Sequence, residues 1–198
     1  MRKTIGQLKF LRESENKVEF KKGEGGNVSY NGSNKTNPSD RRRCILGYVI
    51  ALCNEKGGSL VIGMHDSYPH KVVGTKQAEN AIGQLESDIY RDSGIRTDIY
   101  ELYEDGKRVL VIDVPSRPRG RVFKFEDVAL MRVGEDLKPM SDEVYLSIIQ
   151  EQEPDFYFCC IRCRSVRPDP ELRYHQPVRY DSGSYDRSCH QPDLPPAG

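Results

Sequence analysis

The segment Asn54-Glu-Lys-Gly57-Gly58-Ser-Leu-Val-Ile-Gly63-Met-His-Asp66 decides the fold of this chain. Its double glycine is predicted to end a helix, because glycine readily takes the left-handed conformation found at helix C-termini. The next residues, Leu60 to Gly63, are apolar on both faces of a strand, which is typical of a central strand. An acidic turn closes the segment at Asp66. The pattern therefore predicts a helix, a buried strand and a carboxylate at the end of that strand.

The helical spacing of apolar residues predicts two main helices on either side of this segment. The first is expected over 40–55 with Ser39 as its N-cap, and the second over 77–91 with Thr75 as its cap. A closing helix is expected over 142–151. The buried faces of the two main helices are predicted at Ile45, Tyr48, Val49, Leu52, Ala81, Leu85 and Ile89.

Alternating apolar residues predict further strands. The clearest signal is a hairpin of strands 97–103 and 108–114 around an Asp-Gly turn. The other strands are predicted at 17–21, 71–74, 122–125 and 128–133. We therefore expect an α+β fold, with a mixed and mostly antiparallel sheet and two main helices packed on it.

Composition describes a polar chain of 198 residues with zero net charge and a mean hydropathy of −0.68. No apolar run approaches the length of a membrane span, and the first residues lack the apolar core of a secretory signal, so we expect a cytoplasmic protein. Apolar periodicity is lost after Pro154. The sequence thus predicts an ordered domain over 1–153 and an unpatterned, disordered tail over 154–198.

The cysteines indicate no disulfide framework. Cys44 and Cys53 lie among apolar helical residues and are predicted to be core thiols. The tail contains a Cys-x-x-Cys pair but no second pair at zinc-finger spacing, so a structural zinc site is not favoured. The tail residues concerned are Cys159, Cys160, Cys163, His175, Cys189 and His190.

Acidic and basic side chains recur near the predicted strands. Glu19 and Lys21 alternate on one strand, so both side chains should lie on one face. A metal-dependent nuclease uses such a pair, the carboxylate to hold an ion and the lysine to polarise a phosphate. The same residues also fit a salt-bridged strand face, and Asp66 also fits an ordinary turn.

These motifs together resemble the Schlafen AlbA-type domain, a family also described in bacteria as DNA-binding or ATP-binding. The resemblance covers about residues 10–150 and is carried by Glu13-Ser14, Glu19-Phe-Lys21, Gly57-Gly58, Gly63 and Asp66. It implies a nucleic-acid-binding fold with three carboxylates at a metal-capable site. The family's first glutamate lies five positions before Glu19, where this chain has Ser14. Glu13 and Glu15 are the neighbours that could replace it, and we favour Glu13.

Three functions follow as expectations. The first is nucleic-acid binding, RNA or DNA, with phosphate contacts from Arg41, Arg42, Arg43, Arg117, Arg119, Arg121 and Lys124. The second is a metal-dependent endoribonuclease with Glu13, Glu19 and Asp66 holding Mg²⁺ or Mn²⁺ and Lys21 assisting. The third is an ATP-binding regulatory domain, which only the resemblance suggests, since the chain has no P-loop motif. A homodimer is left open because the sequence does not decide the oligomeric state.

Overall fold

Four strands form the main sheet in a computed structural model that describes residues 2–13, 17–23, 27–134 and 136–151. Their spatial order is β1-β2-β4-β3, with β1 parallel to β2 and the other neighbours antiparallel. The bounds are β1 Val18–Lys21, β2 Gly58–Ile62, β3 Asp98–Glu104 and β4 Lys107–Val114. The strand predicted at the double glycine is therefore central, since β2 has a partner on each side.

A smaller antiparallel sheet has the order β5-β6-β7. Its strands are β5 Lys124–Phe125, β6 Val128–Val133 and β7 Asp136–Pro139. The pair β5–β6 confirms the second predicted strand pair, but β7 was not predicted because its four residues are mostly polar. The strand predicted over 71–74 is reduced to one isolated bridge between Met64 and Val72.

Five helices within the described residues complete the fold, namely α1 Ile5–Leu8, α2 Pro38–Arg42, α3 Ile45–Asn54, α4 Ile82–Ser93 and α5 Asp142–Gln150. The single helix predicted over 40–55 is thus two. Cys44 is extended (φ −135°, ψ 171°) and caps α3, with its Sγ accepting from the Gly47 amide at 3.4 Å. A side chain at Gly47 would place its Cβ 1.9 Å from the carbonyl oxygen of Arg42, so glycine lets the two helices meet closely.

The second main helix starts later than predicted. Ala78 and Asn80 have positive φ angles of 48° and 59°, which a helix cannot contain, so α4 begins at Ile82. Leu85 and Ile89 are buried as predicted. Ala81 is exposed and precedes the helix, so its assignment to the core was wrong.

The main sheet is covered on both faces. One face packs Leu60, Ile62 and their neighbours on β4 against α3, α4 and the smaller sheet. The other face packs Val18, Phe20 and Val61 with residues of α1. Because side chains alternate along a strand, Glu19 and Lys21 must point to the α3 side of the sheet.

Buried Asn54 fastens the end of α3 to the smaller sheet. Its side-chain nitrogen donates to the carbonyl oxygens of Phe123 and Leu130 at 2.9 and 3.0 Å. Its side-chain oxygen accepts from the Phe123 amide at 2.9 Å. Asn54 thereby fixes where β6 runs relative to α3.

The β3–β4 hairpin has the predicted turn, in which Asp105 and Gly106 both have positive φ, 49° and 72°. Cys44 and Cys53 are buried free thiols, and burial raises the pKa of each to about 11. No helix in the described parts of the chain is long and apolar enough to cross a bilayer. The described residues fall in one compact unit, Met1–Pro154, and the predicted tail lies outside them.

Candidate functional site

Glu19 lies at the centre of a buried network of charges. Its side chain is 3% exposed, and its two carboxylate oxygens contact Lys21 Nζ at 2.7 Å and an Arg132 guanidinium nitrogen at 3.2 Å. Arg132 on β6 also binds Glu55 Oε2 at 3.0 Å and the Val18 carbonyl oxygen at 2.9 Å. A buried carboxylate needs such partners, because desolvation alone would disfavour its charge. Glu19 therefore joins β1 to β6.

Lys21 lies between this network and the surface. Its Nζ lies 4.7 Å from the centre of the Tyr48 ring, and its side chain is partly exposed. Burial is the largest influence on the pKa of Lys21 and acts to lower it, but the charges of Glu19 and Tyr48 and the hydrogen bonds to both together outweigh burial, so the net shift is upward. Lys21 is thus a firmly protonated cation at the rim of the core.

Glu13 lies near this network, and among the described residues no ion pair joins Glu13 to it. Its Oε1 accepts from the Phe20 amide at 2.6 Å. Burial raises the pKa of Glu13; the Phe20 hydrogen bond opposes this rise, and the nearby negative charge of Glu19 adds to it. The charged form of Glu13 is therefore disfavoured in the folded protein.

This pKa shift predicts a pH-dependent effect of Glu13→Gln. A pKa raised in the folded state means that stability is lost as pH rises from the ordinary value of 4.5 through the folded-state value. Glutamine keeps the acceptor for Phe20 and has no charge to desolvate. Scanning calorimetry should show that the variant gains melting temperature relative to wild type at pH 7 but not at pH 4. Equal differences at the two pH values would contradict this account.

Asp66 differs from Glu13 and Glu19 in its exposure and its partner. It is exposed and pairs with His65 Nδ1 at 2.8 Å. Both oxygens of Glu19 are already engaged by cations, and within the described residues no three Asp, Glu, His or Cys side chains are placed to hold one ion. Among the described residues, Glu13, Glu19 and Asp66 therefore do not form a site for a divalent metal, and Glu15 lies outside these residues.

The predicted arginines have different surroundings. Arg117 is buried, binding the Asn54 carbonyl oxygen at 3.0 Å and both carboxylate oxygens of Glu151 at 2.7 and 2.9 Å. It is enclosed in the fold rather than displayed on a loop. Arg119, Arg121 and Lys124 are exposed, and the last two lie over the rings of Phe123 and Tyr145.

Arg41 and Arg42 lie in the last turn of α2, not at a helix N-terminus as predicted. Positive charge is favourable at that end of a helix, so Arg41 and Arg42 are compatible with the helix dipole without a bound anion. Arg41 pairs with Glu126, and the Nε of Arg42 is buried without a hydrogen-bond partner among the described residues. Arg43 is half-exposed and pairs with Asp136 at 2.9 Å.

Arg43 and Lys21 both line a pocket of about 590 Å³, which we term the basic pocket. It brings together four cations and one carboxylate, with amide and hydroxyl groups between them. Its charged lining residues are Lys21, Lys22, Lys35, Arg43 and Asp66, and its other side chains include Asn27, Ser29, Asn34 and Tyr48. Lys22 and Lys35 were not among the predicted site residues, and both lie in a segment rich in glycine and asparagine.

The loop that lines the basic pocket is anchored to the helices beside it. The carbonyl oxygens of Ser29 and Tyr30 accept from the amides of Ile45 and Leu46, at 2.9 and 3.1 Å. The Tyr30 hydroxyl donates to Asp92 at 2.7 Å. The pocket therefore has a fixed wall, and its lysines are presented from a defined backbone.

A second cleft, of about 790 Å³, adjoins the basic pocket at Asp66, which lines both. We term it the aromatic cleft. Its lining residues are Arg12, Glu13, Asp66, Ser67, Tyr68, His70 and Gly134. The two cavities thus share a wall but differ in charge, because the second contains two carboxylates and one arginine.

Comparison with known proteins gives a family and a fold. The family model described as Schlafen, AlbA_2 matches residues 14–141. A crystal structure of a Corynebacterium diphtheriae protein aligns with a TM-score of 0.52 and 22% identity over 73% of this chain. The alignment covers 29% of that protein, so the present chain corresponds to less than a third of its length.

A second solved structure is the N-terminal domain of a protein from Nitrosomonas europaea described as related to the ATP-dependent DNA helicase RecG. It aligns with a TM-score of 0.43 and 16% identity, over 88% of this chain and 100% of that domain. No curated protein matches the chain.

Proposed function

The chain belongs to the Schlafen AlbA_2 family, and from that membership we propose that it is a nucleic-acid-binding domain whose basic pocket holds the phosphate backbone. The observation that carries the proposal is the pocket's charge. Four cationic side chains converge on one cavity in a chain whose net charge is zero. Neutralising phosphates with lysine and arginine supplies most of the sequence-independent affinity for nucleic acid.

The geometry of the pocket suits a phosphate ligand. Lys21 is held in place by Glu19 and Tyr48, so it is oriented before any ligand arrives. Amide nitrogens of Asn27 and Asn34 and the Ser29 hydroxyl can donate to further phosphate oxygens. Arg43 supplies a guanidinium that can bind two oxygens at once.

The proposal uses only part of the arginine set predicted from the sequence. Arg43 belongs to the pocket, whereas Arg117 contributes to stability through Glu151. Arg119, Arg121 and Lys124 remain exposed cations that can add outer contacts to a long ligand. The endoribonuclease remains the alternative; we propose binding because, in the described part of the chain, no three ligand side chains surround one ion position.

A triple substitution tests the pocket. In Lys22→Ala/Lys35→Ala/Arg43→Ala, the affinity for a labelled 20-nucleotide RNA or DNA should fall about 10- to 100-fold at moderate salt. Because each lost phosphate contact removes about 0.7–0.9 from the log–log salt slope, the slope should fall by about 2–3. Fluorescence anisotropy over a salt series measures both quantities.

The matched control removes three cations elsewhere, in Arg2→Ala/Lys76→Ala/Lys107→Ala. Arg2 pairs with exposed Asp98 at 2.9 Å, as Arg43 pairs with Asp136, and none of the three lines the basic pocket. An equal loss of affinity in this control would show that overall charge, not the pocket, binds the ligand. Displacement of the oligonucleotide by micromolar ATP would identify a nucleotide site instead. Cleavage of the RNA in Mn²⁺ that Glu19→Gln abolishes would favour the nuclease.

A further inference from the structure

Tyr68, which lines the aromatic cleft, is exposed next to Phe10, which lines a neighbouring pocket. Phe10 is 65% exposed and Tyr68 is 55% exposed. Their ring centres are 6.5 Å apart with planes inclined at 68°. The guanidinium carbon of Arg12 lies 5.6 Å from the centre of the Tyr68 ring. Large apolar side chains that remain exposed side by side are a common feature of binding surfaces.

The segments that carry the two rings are fixed to each other by buried His70. Its ring nitrogens face the carbonyl oxygens of His65 and Leu11, both at 2.8 Å, and its amide donates to the Lys9 carbonyl oxygen at 3.1 Å. The His70 ring stacks on Phe20 of the core, with centres 3.7 Å apart. The aromatic pair is therefore exposed on a rigid support, which lowers the entropy cost of binding a ligand there.

The charges of the two cavities are segregated. In the basic pocket four cations outnumber the carboxylate of Asp66, which favours phosphate, whereas in the aromatic cleft the carboxylates of Glu13 and Asp66 outnumber Arg12, which disfavours it. Carboxylates accept hydrogen bonds from the amino groups of nucleobases, and aromatic rings stack on their faces. Asp66 lines both cavities, so a phosphate in one and a base in the other can belong to the same nucleotide strand.

We propose that the aromatic cleft binds an unpaired nucleobase of a strand whose phosphates occupy the basic pocket, so that the domain selects single-stranded over duplex nucleic acid. This inference rests on the proposed function of the basic pocket. In a duplex the base faces are already stacked on their neighbours and cannot reach Phe10 or Tyr68. An unpaired base can stack on one ring and meet the edge of the other, as their inclined planes require.

The chain has no tryptophan, so Tyr68→Trp creates a single fluorescent reporter at the cleft. Adding single-stranded oligonucleotide should quench its emission, because a stacked base quenches indole. A duplex of the same length should leave it unquenched. Tyr103→Trp is the matched control, because Tyr103 is 63% exposed on β3 and lines neither the basic pocket nor the aromatic cleft.

Removing the rings of Phe10 and Tyr68 tests the preference for single strands over duplex. Phe10→Ala/Tyr68→Ala should bind single strands about 10-fold more weakly than wild type, with duplex affinity unchanged. Tyr90→Ala/Tyr103→Ala should change neither affinity. All four rings are exposed, so the variants should keep the melting temperature of wild type to within a few degrees.

The outcomes separate this inference from the proposed function. The base site is overturned if the double variant binds single strands as tightly as wild type does. It is also overturned if its affinities for single strands and for duplex fall by the same factor. The basic pocket still stands in that case if its triple variant is weakened. If wild type binds no nucleic acid at any salt concentration, both proposals fail together.

Discussion

Replacement of Arg132 by methionine is expected to lower the free energy of unfolding by about 3–5 kcal/mol. The side chain of Arg132 is 10% exposed and bonds to Glu19, to Glu55 and to the Val18 carbonyl oxygen. Methionine fills a similar volume but leaves Glu19 buried with one cation instead of two. Removing one partner of a buried ion pair costs this much because the remaining charge is desolvated without compensation.

Chemical denaturation with urea measures the loss, and the second substitution Glu19→Gln supplies the control. Added to Arg132→Met, it removes the charge that has lost its partner, so part of the lost stability should return. Because the two side chains are in contact, their effects should be non-additive. A double variant as unstable as the sum of the two single variants would show that packing, rather than charge, explains the role of Arg132.

Asn54→Ala is expected to lower the free energy of unfolding by a similar amount, about 3–5 kcal/mol. The substitution removes the three buried hydrogen bonds that Asn54 makes with the amide and carbonyl of Phe123 and with the carbonyl of Leu130. Each buried polar group left unsatisfied costs about 1–3 kcal/mol. Thermal unfolding followed by circular dichroism should show a drop in melting temperature of roughly 10 °C.

Asn54→Asp sharpens this prediction because it keeps the size of the side chain. Aspartate can still accept from the Phe123 amide but cannot donate to the two carbonyl oxygens, so the variant should also be strongly destabilised. Asn31→Ala is the control, because Asn31 is exposed and accepts one bond, from the Ser33 amide. A cost for Asn54→Asp no larger than for Asn31→Ala would argue against the bonding assigned to Asn54.

The regular elements were largely predictable from local patterns. The Asp105–Gly106 turn and its flanking strands were predicted because turn chemistry and alternation agree at that point. The central strand β2 was predicted because it is apolar on both faces. The errors fell where short-range backbone geometry overrides periodicity, as at Cys44, which divides the first main helix, and at Ala78, which delays the second.

The candidate site was less predictable because its contacts are long-range. The position of Glu19 and Lys21 on one strand face followed from alternation, but Arg132 lies 113 residues from Glu19 and nothing in its local sequence marks it as a partner. Arg117 lies between Pro and Gly residues in sequence, which is typical of an exposed loop, and only the fold shows that it is buried and paired with Glu151. Lys22 and Lys35 could not be assigned to the pocket because the composition of their loop does not predict where its side chains lie.

The distance in sequence between Glu19 and Arg132 has a consequence for the order of events during synthesis. The carboxylate on β1 leaves the ribosome long before the arginine on β6 that neutralises it. Until β6 exists, packing β1 against β2 would bury Glu19 with Lys21 as its one strong partner, which disfavours early closure of this edge of the sheet. Non-local pairings of this kind slow folding, since the chain between them must be ordered first. The N-terminal strand should therefore dock late, when the smaller sheet has emerged.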